Sequence, residues 1–395
     1  MNARRTVLVA ISGVSFVLAS QLLAACATNE SANLAPEETE VVIPVSDAGT
    51  SDVDAADGSD LCTTDDCELF PDACGPDVLC PNGLFDPADP SVGPDWRTRI
   101  TSIVGRSATE AWLVGTVGMA ARFDGASWRQ ADVGTSESLR FFWPTSEGEV
   151  AFGTLARVYA HGLGAGDAGV SSDGWALRGL VAPPAGYGSS LTAAWAMPGS
   201  NQLWLATNND LWRIEIDAGA FTSRPGLPAS ICNNVPCKWL RSLHGTSAVT
   251  IWGVGDNGAA VRITGADGSA PKLAVTNPGT WNRLNGVWAV SETEAWAVGG
   301  NGTILHNTDA RFAWETVPNV PTSEHLNAVT GSSSSDIWAV GERGVVLHYD
   351  GAAWSRVKVA ALGSRRPDLY TAWSPGPGQV WIGGQGVLLA LGDKR

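Results

Sequence analysis

A chain of 395 residues with 44% hydrophobic residues can bury an extensive core, and Gly 46, Trp 18 and few helix-favouring runs argue for short strands joined by glycine turns. The net charge of -15 is unevenly placed: residues 27 to 95 hold 17 Asp or Glu and no Lys or Arg, residues 1 to 26 hold only Arg4 and Arg5, and residues 96 to 395 carry 23 of each sign. A neutral folded region lacks the basic field that phosphate binding needs, which excludes nucleic acid as a partner.

The first elements in chain order read as an export signal over 1-25: Arg4 and Arg5, then the apolar run "VLVAISGVSFVLASQLLAA", then a cysteine. The stretch "LAAC", Leu23 to Cys26, resembles the lipobox of bacterial lipoproteins. That resemblance implies cleavage before Cys26, a lipid anchor on its thiol and attachment to the membrane. Ala27, standing where an inner-membrane retention Asp could have stood, implies the outer membrane. A plain signal peptide cut after "ACA" and a transmembrane helix are the alternatives, the run being short for a span.

Residues 26-60 carry this anchor and an acidic stalk poor in aromatics, expected to be disordered because it cannot bury enough apolar surface to offset its ordering entropy. The loop spacing of a dedicated calcium site is missing from its aspartates. Residues 61-95 read as a short cystine-braced segment. With Cys26 lipidated, Cys62, Cys67, Cys74, Cys80, Cys232 and Cys237 remain, an even number that implies three disulfides in an oxidising compartment. Cys232 and Cys237 frame a local loop, while the first four allow three connectivities or, in the alternative, a zinc site without paired CxxC arms.

Residues 96-395 repeat one phrase with a period of 39 to 53 residues: Trp112, Ala151, Trp204, Trp252, Trp296, Trp338 and Trp381 share one register. Seven copies of this length define a solenoid or a propeller. Residues 326 to 357 show four extended pieces per copy, "LNAVTG", "DIWAVG", "VVLHYDG" and "AAWSRV", with turn signals between them. The fold class is therefore all-β, a seven-bladed β-propeller of four-stranded antiparallel blades. The last copy lacks a fourth strand, and "DWRTRI" with Trp96 stands before the first, so an N-terminal strand is expected to close the last blade.

The pattern Trp-x-Val-Gly, Gly, Asp-Gly, Trp resembles bacterial BNR-like and photosystem-II-assembly-factor-like seven-bladed propellers, and more loosely kelch. Such propellers include binding, assembly and catalytic members. Sialidases among them carry Asp boxes, from which "SSSSDIWAVGERG" departs after the Asp.

Sixteen of the eighteen tryptophans fall in three repeat registers and read as core between blades: that of Trp112, that of Trp96, Trp128, Trp175, Trp281, Trp314 and Trp354, and that of Trp143, Trp195, Trp288 and Trp373. Trp212 and Trp239 fall outside them. His306 and His348 occupy equivalent positions in successive blades and do not converge on a metal, and Glu110, Glu149, Glu294 and Asp336 read as turn-capping acids. One register does converge: the start of the innermost strand, at Thr101, Arg140, Thr192, Arg241, Asn285, Asn327 and Tyr370. All seven are polar, and the two arginines can grip a carboxylate or phosphate; bonds to neighbouring backbones or channel water are the competing explanation.

No catalytic residue, metal or cofactor is implied, since GxSxG, HExxH and a phosphate-cradling glycine loop are lacking. The expected function is a monomeric cell-envelope lipoprotein whose propeller binds or assembles a protein or glycan through Arg140, Arg241, Asn285, Asn327 and Tyr370. The alternative is a glycan hydrolase or lyase acting at the same channel mouth.

Overall fold

The structure is a computed structural model and describes residues 65-85, 93-164, 169-179, 191-227, 231 and 239-391. The chain divides into two units, residues 1-59 and 60-395, and all the described residues lie in the second. The expectations for the signal, Cys26, the acidic stalk, Cys62, Cys232 and Cys237 fall outside the described residues.

Seven four-stranded antiparallel sheets form the blades of a β-propeller. Blade 1 runs Ile100–Ser107, Glu110–Gly115, Ala120–Phe123 and Trp128–Gln130 from the axis outward. Blade 6 repeats it as Leu326–Ser333, Asp336–Gly341, Val346–Tyr349 and Trp354–Arg356. The second strand of every blade is covered on both faces by neighbouring blades, so it reads as a continuous apolar run; Thr250–Gly255 in blade 4 is buried at all six positions. Trp112, Trp204, Trp252, Trp296, Trp338 and Trp381 lie on these strands and are all buried. They fill seams between blades, as where Trp338 meets Leu369 and Ile382 of blade 7.

After the second strand the chain reverses through two residues of positive φ, Asn301-Gly302 in blade 5 and Arg343-Gly344 in blade 6, the requirement of a tight primed turn. The freed amide of this glycine holds the linker to the next blade: Gly302 N–H donates to Glu324 O at 2.9 Å and Gly344 N–H to Pro367 O at 2.8 Å. A side chain at Gly302 would run into the Thr322 carbonyl of that linker.

Blade 7 consists of Leu369–Gly376, Gln379–Gly384 and Val387–Leu391, completed by an N-terminal strand. This strand is Leu79–Pro81, pairing Leu79 with Leu391 and Pro81 with Leu389, and not the "DWRTRI" strand expected from Trp96. The reason is reach. Ile100–Ser107 is already committed to the inner edge of blade 1, while the cystine-braced segment is free to pass along the outer edge of blade 7. Leu79 is fully buried, and its backbone bonds Lys358 O and Ala360 N as well. Cys80, on the same strand, is bridged to Cys74 with Cα atoms 5.8 Å apart, and Cys67 is also disulfide-bonded.

Candidate functional site at the propeller axis

The first strand of each blade lines the axis, and its start carries the polar register. In six blades the register residue is the extra residue of a β-bulge: the pairing skips Thr101, Thr192, Arg241, Asn285, Asn327 and Tyr370 while their neighbours stay in register. A bulge leaves its residue unpaired and re-aims the side chain. In blade 2 Arg140 stands just before the strand Phe141–Pro144 and donates its N–H to Phe152 O at 3.0 Å. Thr101, Arg140, Arg241, Asn285, Asn327 and Tyr370 together line one cavity of about 220 Å3 at this mouth of the channel. Thr192 is not part of that lining; it is buried, and its hydroxyl has no partner among the described residues.

Three members stitch blades together. Thr101 Oγ1 donates to Leu139 O at 2.7 Å, Asn285 Nδ2 to Leu326 O at 2.9 Å and Asn327 Nδ2 to Leu369 O at 2.9 Å, in each case reaching the residue before the register position of the next blade. Tyr370 bonds Asp368 through its hydroxyl and carries the Arg99 guanidinium 4.0 Å above its ring.

The arginines behave differently. Arg241 makes a bidentate pair with Asp256 at 3.1 and 2.8 Å, and Arg283 reaches the same carboxylate at 2.9 Å. The Arg241 hydrogen bond chiefly holds the Asp256 carboxyl below its usual range. Burial, then repulsion from Arg241, pushes the Arg140 guanidinium down. Arg140 and Arg241, the latter already paired with Asp256, thus both reach a cavity whose described lining has no carboxylate. An arriving carboxylate or phosphate relieves that repulsion and gains charge-assisted hydrogen bonds. The paired acids of glycoside hydrolysis are not brought together in this lining.

Three residues further along the inner strands the lining turns aromatic, with Trp195, His244, Trp288 and Trp373 around a second cavity of about 230 Å3. These tryptophans were expected as core between blades; the inner strand instead presents them to the channel as well as to the seam. Glycine in the following blade admits each ring edge: a Cβ at Gly245, Gly331 or Gly105 would meet Trp195, Trp288 or Trp373 respectively. Trp143, at the same register, is buried and donates its Nε1–H to Ser200 O.

The acids read as turn caps pair across the hairpin instead. Glu149 meets His161 at 2.8 Å, Glu294 meets His306 at 3.0 Å and Asp336 meets His348 at 2.8 Å, while Glu110 lies between Arg106 and Arg122. Twelve residues separate each of these acids from its cross-strand partner, which stands directly opposite the acid in blade 2 and on the diagonal in blades 1, 5 and 6. The partner of the acid also covers a tryptophan, most closely where His306 stacks on Trp296 at 3.9 Å. Burial pushes the Asp336 carboxyl up, but the Ser332 hydroxyl, His348, the Gly378 N–H and Trp338 outweigh it and hold the group below its usual range.

Of all eighteen tryptophans, the exposed ones are Trp96 at 49%, Trp239 at 45% and Trp281 at 87%. Trp96 and Trp281 were expected in the core. Trp281 lies in the linker beyond the outer strand Lys272–Val275 of blade 4, whose apolar positions are Leu273, Ala274 and Val275. Trp212, by contrast, packs partly buried on a core cluster. All three exposed rings lie at the mouth end of the channel: Trp239 O accepts from Asp256 N–H, Trp281 precedes Arg283, whose carbonyl accepts from Gly300 N–H, and Trp96 abuts the Gly386 turn of blade 7.

Fold and site define a seven-bladed β-propeller with a polar, arginine-bearing axial mouth rimmed by tryptophan. No family model and no curated protein matches the sequence. Among solved structures, the chain is similar to YCF48 from Cyanidioschyzon merolae, at 15% identity and a TM-score of 0.58 over 76% of this chain and 97% of that one. A structure described as YCF48 bound to D1 peptide matches at 15% identity and 0.58 over 82% and 97%. The RRP9 WD40 repeats match at 8% identity and 0.54 over 75% and 94%. At these identities the likeness is one of fold.

Proposed function

We propose that this chain is a protein-binding module that docks its partner on the mouth face of the propeller. One observation carries the reading: every exposed tryptophan lies at the end where Arg140 and Arg241 open to the axis. Tryptophan and arginine dominate the energetics of protein interfaces, and the pair of guanidinium groups selects a partner with acidic residues among its apolar ones. The neighbour that holds a D1 peptide supports a protein over a glycan as partner.

The test is a crosslinking pull-down from envelope membranes with wild type, a Trp239→Ala/Trp281→Ala double variant, Arg140→Ala, and Val249→Ser as a control in the exposed turn between the first two strands of blade 4, at the opposite end. A partner recovered by wild type and Val249→Ser should fall about tenfold or more with the mouth variants, the loss expected from interface hot spots. A partner kept by the mouth variants and lost with Val249→Ser would refute the reading.

We propose further that the chain is a monomeric outer-membrane lipoprotein anchored through Cys26. The "LAAC" stretch ending at Cys26, followed by Ala27, supports this, and several acyl chains anchor stably where one is marginal. Cys26→Ser should move the protein from the membrane to the soluble fraction; retention in the membrane fraction rejects the anchor.

A further inference from the structure

The polar mouth and the aromatic chamber are successive parts of one passage, since Ser102, Phe141, Ala194 and Val329 line both. Three residues of strand separate the two rings of side chains, about 10 Å. In the chamber His244 sits between Trp195 and Trp288, with ring centroids 6.0 and 6.5 Å away. Its Nδ1 accepts the Ala289 N–H at 3.0 Å, which leaves the ring proton on Nε2. Burial pushes this imidazole down to about 4, so it is neutral at ordinary pH. The Nε2–H has no hydrogen-bond partner among the described residues. The chamber therefore offers aromatic walls and one donor, and the mouth above it offers Arg140 beside the Arg241–Asp256 pair.

We propose that the axial passage binds a small aryl-alkanoic acid, its ring among Trp195, His244, Trp288 and Trp373 and its carboxylate at Arg140 and Arg241. The chamber, at about 230 Å3, has ample room for a single ring; an engineered apolar cavity of about 150 Å3 accepts benzene. Offset or edge contacts with tryptophan reward a planar ring over an aliphatic body of the same size. The span of about 10 Å between the two rings of side chains matches a carboxylate carried on a short alkyl chain. This inference goes beyond partner docking and does not depend on it, because the chamber lies below the exposed rim.

The experiment titrates phenylpropionate into the full chain by calorimetry, with nuclear magnetic resonance of isotope-labelled histidine as a positional readout. The expected result is one site with a Kd of about 1 mM or tighter, and at least about tenfold weaker binding of toluene and of propionate. The His244 Nε2–H resonance shifts on titration while those of His306 and His348 do not. Trp288→Ala and Arg140→Gln each weaken binding about tenfold or more. Thr330→Phe fills the chamber without removing an aromatic wall, and it abolishes binding in a protein that melts as wild type does. An absence of binding, a silent His244, equal affinity for toluene, or undiminished binding in Thr330→Phe each overturns the assignment. Trp239→Ala/Trp281→Ala is expected to keep phenylpropionate binding whatever it does to a docked partner, so the two readings fail separately.

Discussion

Replacing Leu79 by Asp is expected to abolish cooperative folding, while Leu79→Ala should cost about 3 kcal/mol in chemical denaturation, within the range for a buried leucine. Leu79 is fully buried in the cluster of Trp338, Val340, Val359, Leu369 and Leu389, so an aspartate there has neither water nor a counterion. The loss also reaches the backbone. Leu79–Pro81 is the outermost strand of blade 7, and without it the Val387–Leu391 edge is left unpaired. The stability of a domain is roughly 5 to 15 kcal/mol, which a buried charge and a lost strand together can consume. A Leu79→Asp protein that melts within a few degrees of wild type would show that the strand does not hold the ring closed.

The second large effect is expected at Asp336. Its carboxylate accepts from Ser332, from Trp338 Nε1 at 3.0 Å and from the Gly378 N–H at 3.3 Å, and it meets His348 Nε2 at 2.8 Å. Asp336→Ala removes the acceptor these four groups share and should cost about 3 kcal/mol, the scale for removing one member of a buried charged network. Asp350→Ala, at an exposed carboxylate that caps its own turn, should cost about 1 kcal/mol. Because the folded Asp336 carboxyl lies below its unfolded value, its contribution is present above the unfolded pKa and is lost as pH falls through the folded one. The wild-type excess over Asp336→Ala should therefore shrink in acid below about pH 4. Equal costs for Asp336→Ala and Asp350→Ala would show that the network contributes nothing.

The blade count and the second strand of every blade were legible in the sequence, because a strand covered on both faces must be apolar throughout; Trp-x-Val-Gly stands intact in four copies, and Ala151, Trp204 and Trp381 keep the same register in the other three. The convergence of Arg140, Arg241, Asn285, Asn327 and Tyr370 was also legible, from register alone. The bulges that aim most of these residues were not, since a bulge adds a residue to a strand without adding a turn residue. The closing strand was misplaced because "LCP" is three residues long and lacks the tryptophan that marked other outer strands, whereas "DWRTRI" carries one. Counting across loops of unequal length likewise put Trp281 into the core. Folding the hairpin on paper about its "ERG" turn sets His348 opposite Trp338, with Asp336 its diagonal neighbour on the same face, so the pairing of Asp336 with His348 could have been found.

Blade 7 joins two strands from nearly opposite ends of the chain. Leu79–Pro81 precedes every blade in the chain, and its partner Val387–Leu391 follows all the other blade strands. Six blades can form in chain order from neighbouring segments, but the seventh must wait for Val387–Leu391 to reach the compartment in which the chain folds. Until then the early strand and the two open edges are unpaired surfaces of the kind that seed misassembly. Circularity makes the meeting of these two strands, and not the folding of any one repeat, the commitment step in biogenesis.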